Sequence, residues 1–168
     1  MAGNFDPLRV LEAAYAIEPD DRAWLLAIAE AFAPLARGPG VLAASFKIEA
    51  GRMVAGVVAG SGALRAAPVD DIVAFWDASP PEALRAWFEP VPPVDTMLAR
   101  LRRTRASRDE SPARFSDMVG AKDVLAVLGL DPAGNGVHVS LPSPAPVRLS
   151  PRAQHRLGLV SAHLAAAR

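Results

Sequence analysis

The chain has 168 residues, 51% hydrophobic and 21% charged, with 18 Lys+Arg against 18 Asp+Glu and no cysteine. One domain with a real core fits that length, and zero net charge argues against a nucleic-acid binder, which shows a basic excess. Disulfides, thiolate metal sites and cysteine nucleophiles are excluded.

The N-terminus has no basic region leading into an apolar run, and no window approaches the roughly 18 apolar residues of a membrane span. The expectation is a cytoplasmic protein without membrane contact. The first helix is predicted over Pro7–Ile17, with Asp6 as N-cap and Pro7 in the first turn. Its apolar stripe is Leu8, Leu11 and Tyr15, with Val10 and Ala14 as further candidates. A second helix runs over Arg22–Ala36, capped by Asp20 or Asp21. Trp24, Ile28, Ala31, Phe32 and Leu35 have the spacing of a core-facing side, and Pro34 marks its end. Gly38-Pro39-Gly40 breaks the chain.

Val41–Ser61 reads as a hairpin. Leu42, Ala44, Phe46 and Ile48 alternate with Val41, Ala43, Ser45 and Lys47. Glu49–Arg52 is the turn, and Met53–Gly60 alternates again. Both faces are apolar, so both should be covered, which places this hairpin at the centre of a sheet. The glycines Gly56, Gly60 and Gly62 lack the lysine and the strand–turn–helix order of a phosphate loop. A helical region in pieces follows: Ile72–Ala78, Pro81–Phe88 and Val94–Arg105, the last with Met97, Leu98 and Leu101 as buried candidates. The stretch 106–112 is a loop, and 112–120 reads as either a short edge strand or more loop.

Asp123–Leu130 is a short apolar run that could be helix or strand. The turn chemistry of Asp131–Gly136 decides for a second hairpin. Val137, Val139 and Leu141 share one face of its return strand, and His138 and Ser140 share the other. Leu149–Arg168 is the last helix, with Ser150 as cap. Leu157, Val160 and Leu164 belong to a near-heptad seam, the pattern of a helix that either continues in a longer chain or pairs with a partner.

The order is two helices, hairpin, helical crossover, hairpin, long helix. This order is similar to that of GAF or PAS-like domains, and the resemblance implies an α+β fold: an antiparallel sheet of about five strands, N- and C-terminal helices on one face, and a helical crossover on the other. In domain terms, 1–37 are the N-terminal helices, 41–141 the sheet and crossover, and 149–168 the C-terminal helix.

This pattern resembles a GAF or PAS-like sensory domain. More narrowly, it is similar to the N-terminal sensor half of LuxR-type helix-turn-helix regulators. The carriers are Asp21–Leu25, the phrase Asp131–Val137, and Val147–Arg152 leading to His163–Arg168. The helix-turn-helix itself is absent from the sequence, which stops at Arg168. The resemblance implies a non-enzymatic regulatory domain of a transcription regulator, acting as a homodimer. It would contact DNA only through a helix-turn-helix not present here. A small, mostly apolar effector would sit between crossover and sheet.

Phe75, Trp76, Trp87 and Phe88 are the candidate lid, where such folds place it; ordinary core packing is the simpler reading of the same residues. Phe46 and Met97 join them as candidate ligand contacts. His138 could face a cavity and meet a ligand, haem iron or a proton signal, or be a hydrogen-bonded strand residue. His155 and His163 make a poor metal site and read as solvated. The arginines Arg100, Arg102, Arg103, Arg105 and Arg108 read as a cationic helix end running into solvent. Ser45 and Ser140 show no base and orienting partner, so no catalytic residue, metal or cofactor is expected. Two alternatives to sensing remain: a ligand-free dimerisation or scaffold module, and a haem or metal sensor through His138.

Overall fold

The computed structural model describes residues 5–49, 52–66, 69–77, 92–104 and 117–167, without the side chains at 52, 53, 69, 75–77 and 104. Among these residues the helices are α1 (Pro7–Tyr15), α2 (Asp21–Phe32), α3 (Val69–Asp77), α4 (Met97–Thr104) and α5 (Pro151–Ala166). The strands are β1 (Leu42–Glu49), β2 (Arg52–Gly60), β3 (Val94–Thr96), β4 (Asp123–Leu130) and β5 (Asn135–Ser143). They form one antiparallel sheet in the order β2-β1-β5-β4-β3. The α+β fold expected from the sequence is therefore present. Among the described residues no helix is long and apolar enough to cross a membrane.

Both hairpins are present, but the first is not the centre of the sheet. β2 is an edge, and the central strand is β5. Apolarity on both faces shows only that two layers cover a strand; here the second hairpin supplies the strand that bridges the two halves. The fifth strand is Val94–Thr96, which the sequence places in a helix. Three residues are too few for a period, and Pro92 and Pro93 precede them. The carbonyl of Pro93 still accepts from Leu128 N–H, which extends the ladder by one bond.

Strand alternation sorts the core into two layers. On one face Ala43, Ala59, Leu125, Val127, Val137, Val139 and Leu141 pack with α1, α2 and α5. On the other, Leu42, Val58 and Val124 pack with Leu64, Ile72, Met97 and Val119 of the crossover. Terminal helices and crossover thus lie on opposite faces.

α1 sits rotated from its expected orientation. Val10 and Ala14 are buried, whereas Leu8 and Tyr15 are 65% and 53% exposed. The smaller pair allows a closer approach to α2. The Trp24 indole N–H donates to the Ala14 carbonyl at 2.9 Å, an acceptor that the helix end leaves unsatisfied. α1 stops at Tyr15 because Ala16 is already extended. α2 stops at Phe32 and tightens into a 3-10 turn over Ala33–Leu35, at Pro34.

Two contacts hold α5 and α4 to the sheet. A Cβ on Gly129 of β4 would come within 2.7 Å of Ala165 N and of Leu164 Cβ, and Ser161 Oγ donates to the Leu128 carbonyl at 2.5 Å. Glycine is what lets the helix lie this close. At the start of β4 the fully buried Asp123 carboxylate accepts from the backbone N–H groups of Leu98 at 3.1 Å, Val124 at 2.9 Å and Val147 at 2.8 Å. One side chain therefore joins the first turn of α4, the strand, and the segment entering α5.

Asp123→Ala removes the acceptor of one buried and two half-buried backbone donors and should lower unfolding free energy by about 2–3 kcal/mol; Asp123→Asn, which keeps an acceptor, should lower it less, as read from urea unfolding. Gly129→Ala overpacks a helix backbone and should destabilise by about 1–3 kcal/mol. Gly158→Ala on α5, where a Cβ meets nothing within 4 Å, should instead stabilise by up to about 1 kcal/mol through helix propensity.

Candidate functional site

The crossover face of the central strands is apolar except at one place. The register sets Leu42, Ser140, Ala126 and Asp95 side by side across β1, β5, β4 and β3. The next row is Val58, Ala44, His138 and Leu128. His138 and Ser140 are buried, and Ser140 Oγ lies 3.3 Å from His138 Nδ1. Their strand neighbours Ala44 and Ala126 are small. Gly136, two residues before His138, lies under the Phe46 ring, whose Cζ a Cβ there would approach to 2.1 Å.

α4 begins immediately after β3, so its first turn returns over the strand. That turn brings Arg100, only 5% exposed, to Asp95, with Nε 3.6 Å from Oδ2. Arg103, one turn further and half exposed, also donates to Asp95. The first carboxyl oxygen of Asp95 accepts from Thr96 N–H at 2.8 Å. Thr96 Oγ1 in turn accepts from Ala99 N–H at 3.2 Å and caps the helix that carries both arginines.

Burial pushes the Arg100 guanidinium down to about 10, against the opposing pull of Asp95. The group still carries its charge near neutral pH. Burial, and secondarily the Arg100 charge, push His138 down to about 3. So shifted, the ring favours its neutral form near pH 7. A base that weak is also poorly matched to general-base work near pH 7. A neutral ring with one donor and one acceptor, a serine hydroxyl and a guanidinium can together recognise a polar or anionic group by hydrogen bonds.

Three of the expected ligand contacts, Phe46, Met97 and His138, are on this face. Phe75 and Trp76 belong to α3, with side chains outside the described set, and Trp87 and Phe88 lie outside the described residues. The expected dimer seam is corrected. Leu157, Val160 and Leu164 are each 1% exposed and belong to the core beneath α1 and α2. Their spacing is that of a helix facing its own sheet, which a heptad count cannot separate from a coiled coil over so few turns.

The reading of the arginine run as solvated is corrected for Arg100, which is buried against Asp95; Arg102 and Arg103 are exposed as expected, and Arg105 and Arg108 lie outside the described residues. Asp95, Arg100 and Ser140 were not expected at the site. One signal was available for Arg100: it falls three residues after Met97 and next to Leu101, on the apolar stripe of its helix, where a charge requires an explanation.

A depression of about 320 Å³ lies at the bulge between β1 and β2, lined among others by Asp21, Ser45, Lys47, Gly56 and the expected ligand contact Phe46. There Ser45 Oγ accepts from Val57 N–H at 2.9 Å, so its role is structural. Among the described residues no group of three or more His, Asp or Glu is placed to hold a metal ion. No protein-family model matches the chain, and no curated protein matches it in sequence.

The shifted imidazole gives a pH test. Between its folded value of about 3 and its ordinary 6.5, His138 binds fewer protons folded than unfolded. Stability therefore falls as pH falls through that window. From pH 6.5 to 5, above the range where most carboxylates titrate, the slope attributable to His138 should approach about 1.4 kcal/mol per pH unit. His138→Gln should flatten it. Denaturant midpoints of both proteins across that range check this, and equal slopes would rule it out.

Proposed function

We propose that the chain is a ligand-sensing regulatory domain, of the kind that precedes the helix-turn-helix in LuxR-type transcription regulators. Its effector is small and mostly apolar, with one polar or anionic group. It lies between sheet and crossover, and the polar group meets Ser140, His138 and Arg100. The observation that carries this is the buried polar set on an otherwise apolar face of the central strands. Taking a guanidinium, an imidazole and a hydroxyl out of water is unfavourable, and well-packed apolar residues in such places are often neutral or stabilising. Retaining the polar groups favours recognition over packing.

The route for a signal is short. His138 and Ser140 alternate along β5 with Val137, Val139 and Leu141, which belong to the core under α5 and the N-terminal helices. An effector that shifts β5 acts on both faces through one strand. It does so only by binding one arrangement better than the other. The depressed His138 also favours a non-enzymatic role, and the cytoplasm and a homodimer are the expected setting.

The test is native mass spectrometry of protein purified from its expression host, against the denatured mass. The expected result is a reproducible added mass, lost on denaturation and absent from a Ser140→Val, His138→Leu double variant that stays folded by circular dichroism. A bare mass in the wild type, with the double variant more stable, would identify the polar set as structural. The chain would then be a scaffold module.

A further inference from the structure

In the polar set on the crossover face, two guanidiniums share one carboxylate. Asp95 Oδ1 accepts from Thr96 N–H at 2.8 Å. Asp95 Oδ2 accepts from Arg103 and lies 3.6 Å from Arg100 Nε, beyond hydrogen-bond distance. The tighter contact therefore belongs to the half-exposed Arg103, and the buried Arg100 has the longer one. Asp123, also buried, spends its carboxylate on three backbone N–H groups. Asp95, Arg100 and Arg103 together carry a single net positive charge.

That charge is felt on the central strand. After burial, which is the larger cause, it is Arg100 that holds the His138 ring toward its neutral form. Ser140 Oγ lies 3.3 Å from His138 Nδ1. If the hydroxyl donates to Nδ1, the ring proton is on Nε2; if the ring donates from Nδ1, the hydroxyl proton points elsewhere. Either tautomer leaves the pair one hydrogen to donate beyond itself, beside a guanidinium.

The strand next to it is not sealed. β1 has a neighbour on each side, yet Ala44, paired with His138, is only partly buried. Ile48 of β1 and Ala55 of β2, on the same face, are partly buried too. Leu42, Phe46 and Val58 flank these positions in the register, and all three are apolar. A polar end and an apolar track thus meet at Ala44.

We infer that the effector is a monocarboxylic acid, with its carboxylate against Ser140, His138 and Arg100 and its apolar remainder over Ala44 toward Ala55. The inference rests on the reading of this face as an effector site and names the chemical class. A guanidinium has five N–H donors, so a second carboxylate joins Asp95 on Arg100 without displacing it. One negative charge matches the excess of the three charged side chains. An amide, ester or alcohol leaves that excess unmatched. A phosphate monoester, at about −1.5 to −2, overshoots it and brings the surplus into an otherwise apolar face.

Calorimetric titration of the full chain at pH 7 tests this. The probes are hexanoate, octanoate, phenylacetate and indole-3-acetate, each beside its primary amide. At least one acid should bind, and its amide should bind at least about tenfold more weakly. In Arg100→Gln the acid should weaken by about tenfold or more and the amide by less than about twofold. The wild-type ratio of acid to amide decides the class whether or not that variant folds. The mass that native mass spectrometry finds on the purified protein should belong to a compound with one carboxyl group. Amides that bind as well as their acids, or a bound compound that is neutral or a phosphate, would overturn the class and leave the effector site standing. A bare protein that binds none of the acids or amides would overturn the site itself, and the class with it.

Discussion

A sheet covered on both sides has to be apolar twice, once for each layer, and β5 lies at the middle of that constraint. Its odd-numbered residues Val137, Val139 and Leu141 pack with the helical layer. Its even-numbered residues His138 and Ser140 face the crossover. A slip of one residue would exchange the two sets and place imidazole and hydroxyl under α5. The turn before β5 fixes the register. Asp131 N–H donates to the Asn135 carbonyl, the Asp131 carboxylate accepts from Asn135 N–H, and Gly134 takes φ +88°. The position of the polar set thus depends on a turn some distance from it.

Around that strand, polar groups do two different jobs. Asp123 is buried and accepts three backbone N–H bonds, so its charge is dispersed into the chain itself and its role is to join elements. Asp95 is buried and faces two guanidiniums, so its role is to bring α4 over the sheet. The consequence is a buried cation beside a neutral imidazole. Such buried groups add little stability beyond what well-packed apolar residues would give.

The helix pair at the opposite face shows how one amphipathic segment can serve two surfaces. α5 commits Leu157, Val160 and Leu164 to the monomer's core and presents Leu159 among cations outside. α1 makes the complementary choice, burying Val10 and Ala14 and leaving Leu8 and Tyr15 outward. Leu8 and Tyr15 are left outward because Trp24 and the close approach to α2 select the small face of α1.

Local signals in the sequence determined the helices with their Asp6, Asp20 and Ser150 caps, the two hairpins, and the α+β order. Each depends on residues a few positions apart: a side-chain cap, a period of two, a turn of Asp, Asn and Gly. The alternation of His138 and Ser140 against Val137 and Val139 was legible for the same reason. Tertiary structure decided the rest. Only strand pairing made β5 the centre and recruited the three residues of β3, because such a short segment has no period of its own. Only the return of α4 over β3 turned Arg100 from a member of a basic run into a buried neighbour of Asp95. Only packing chose between the two apolar stripes of α1 and assigned the seam of α5 to the interior, since a hydrophobic stripe records that something covers it and not what.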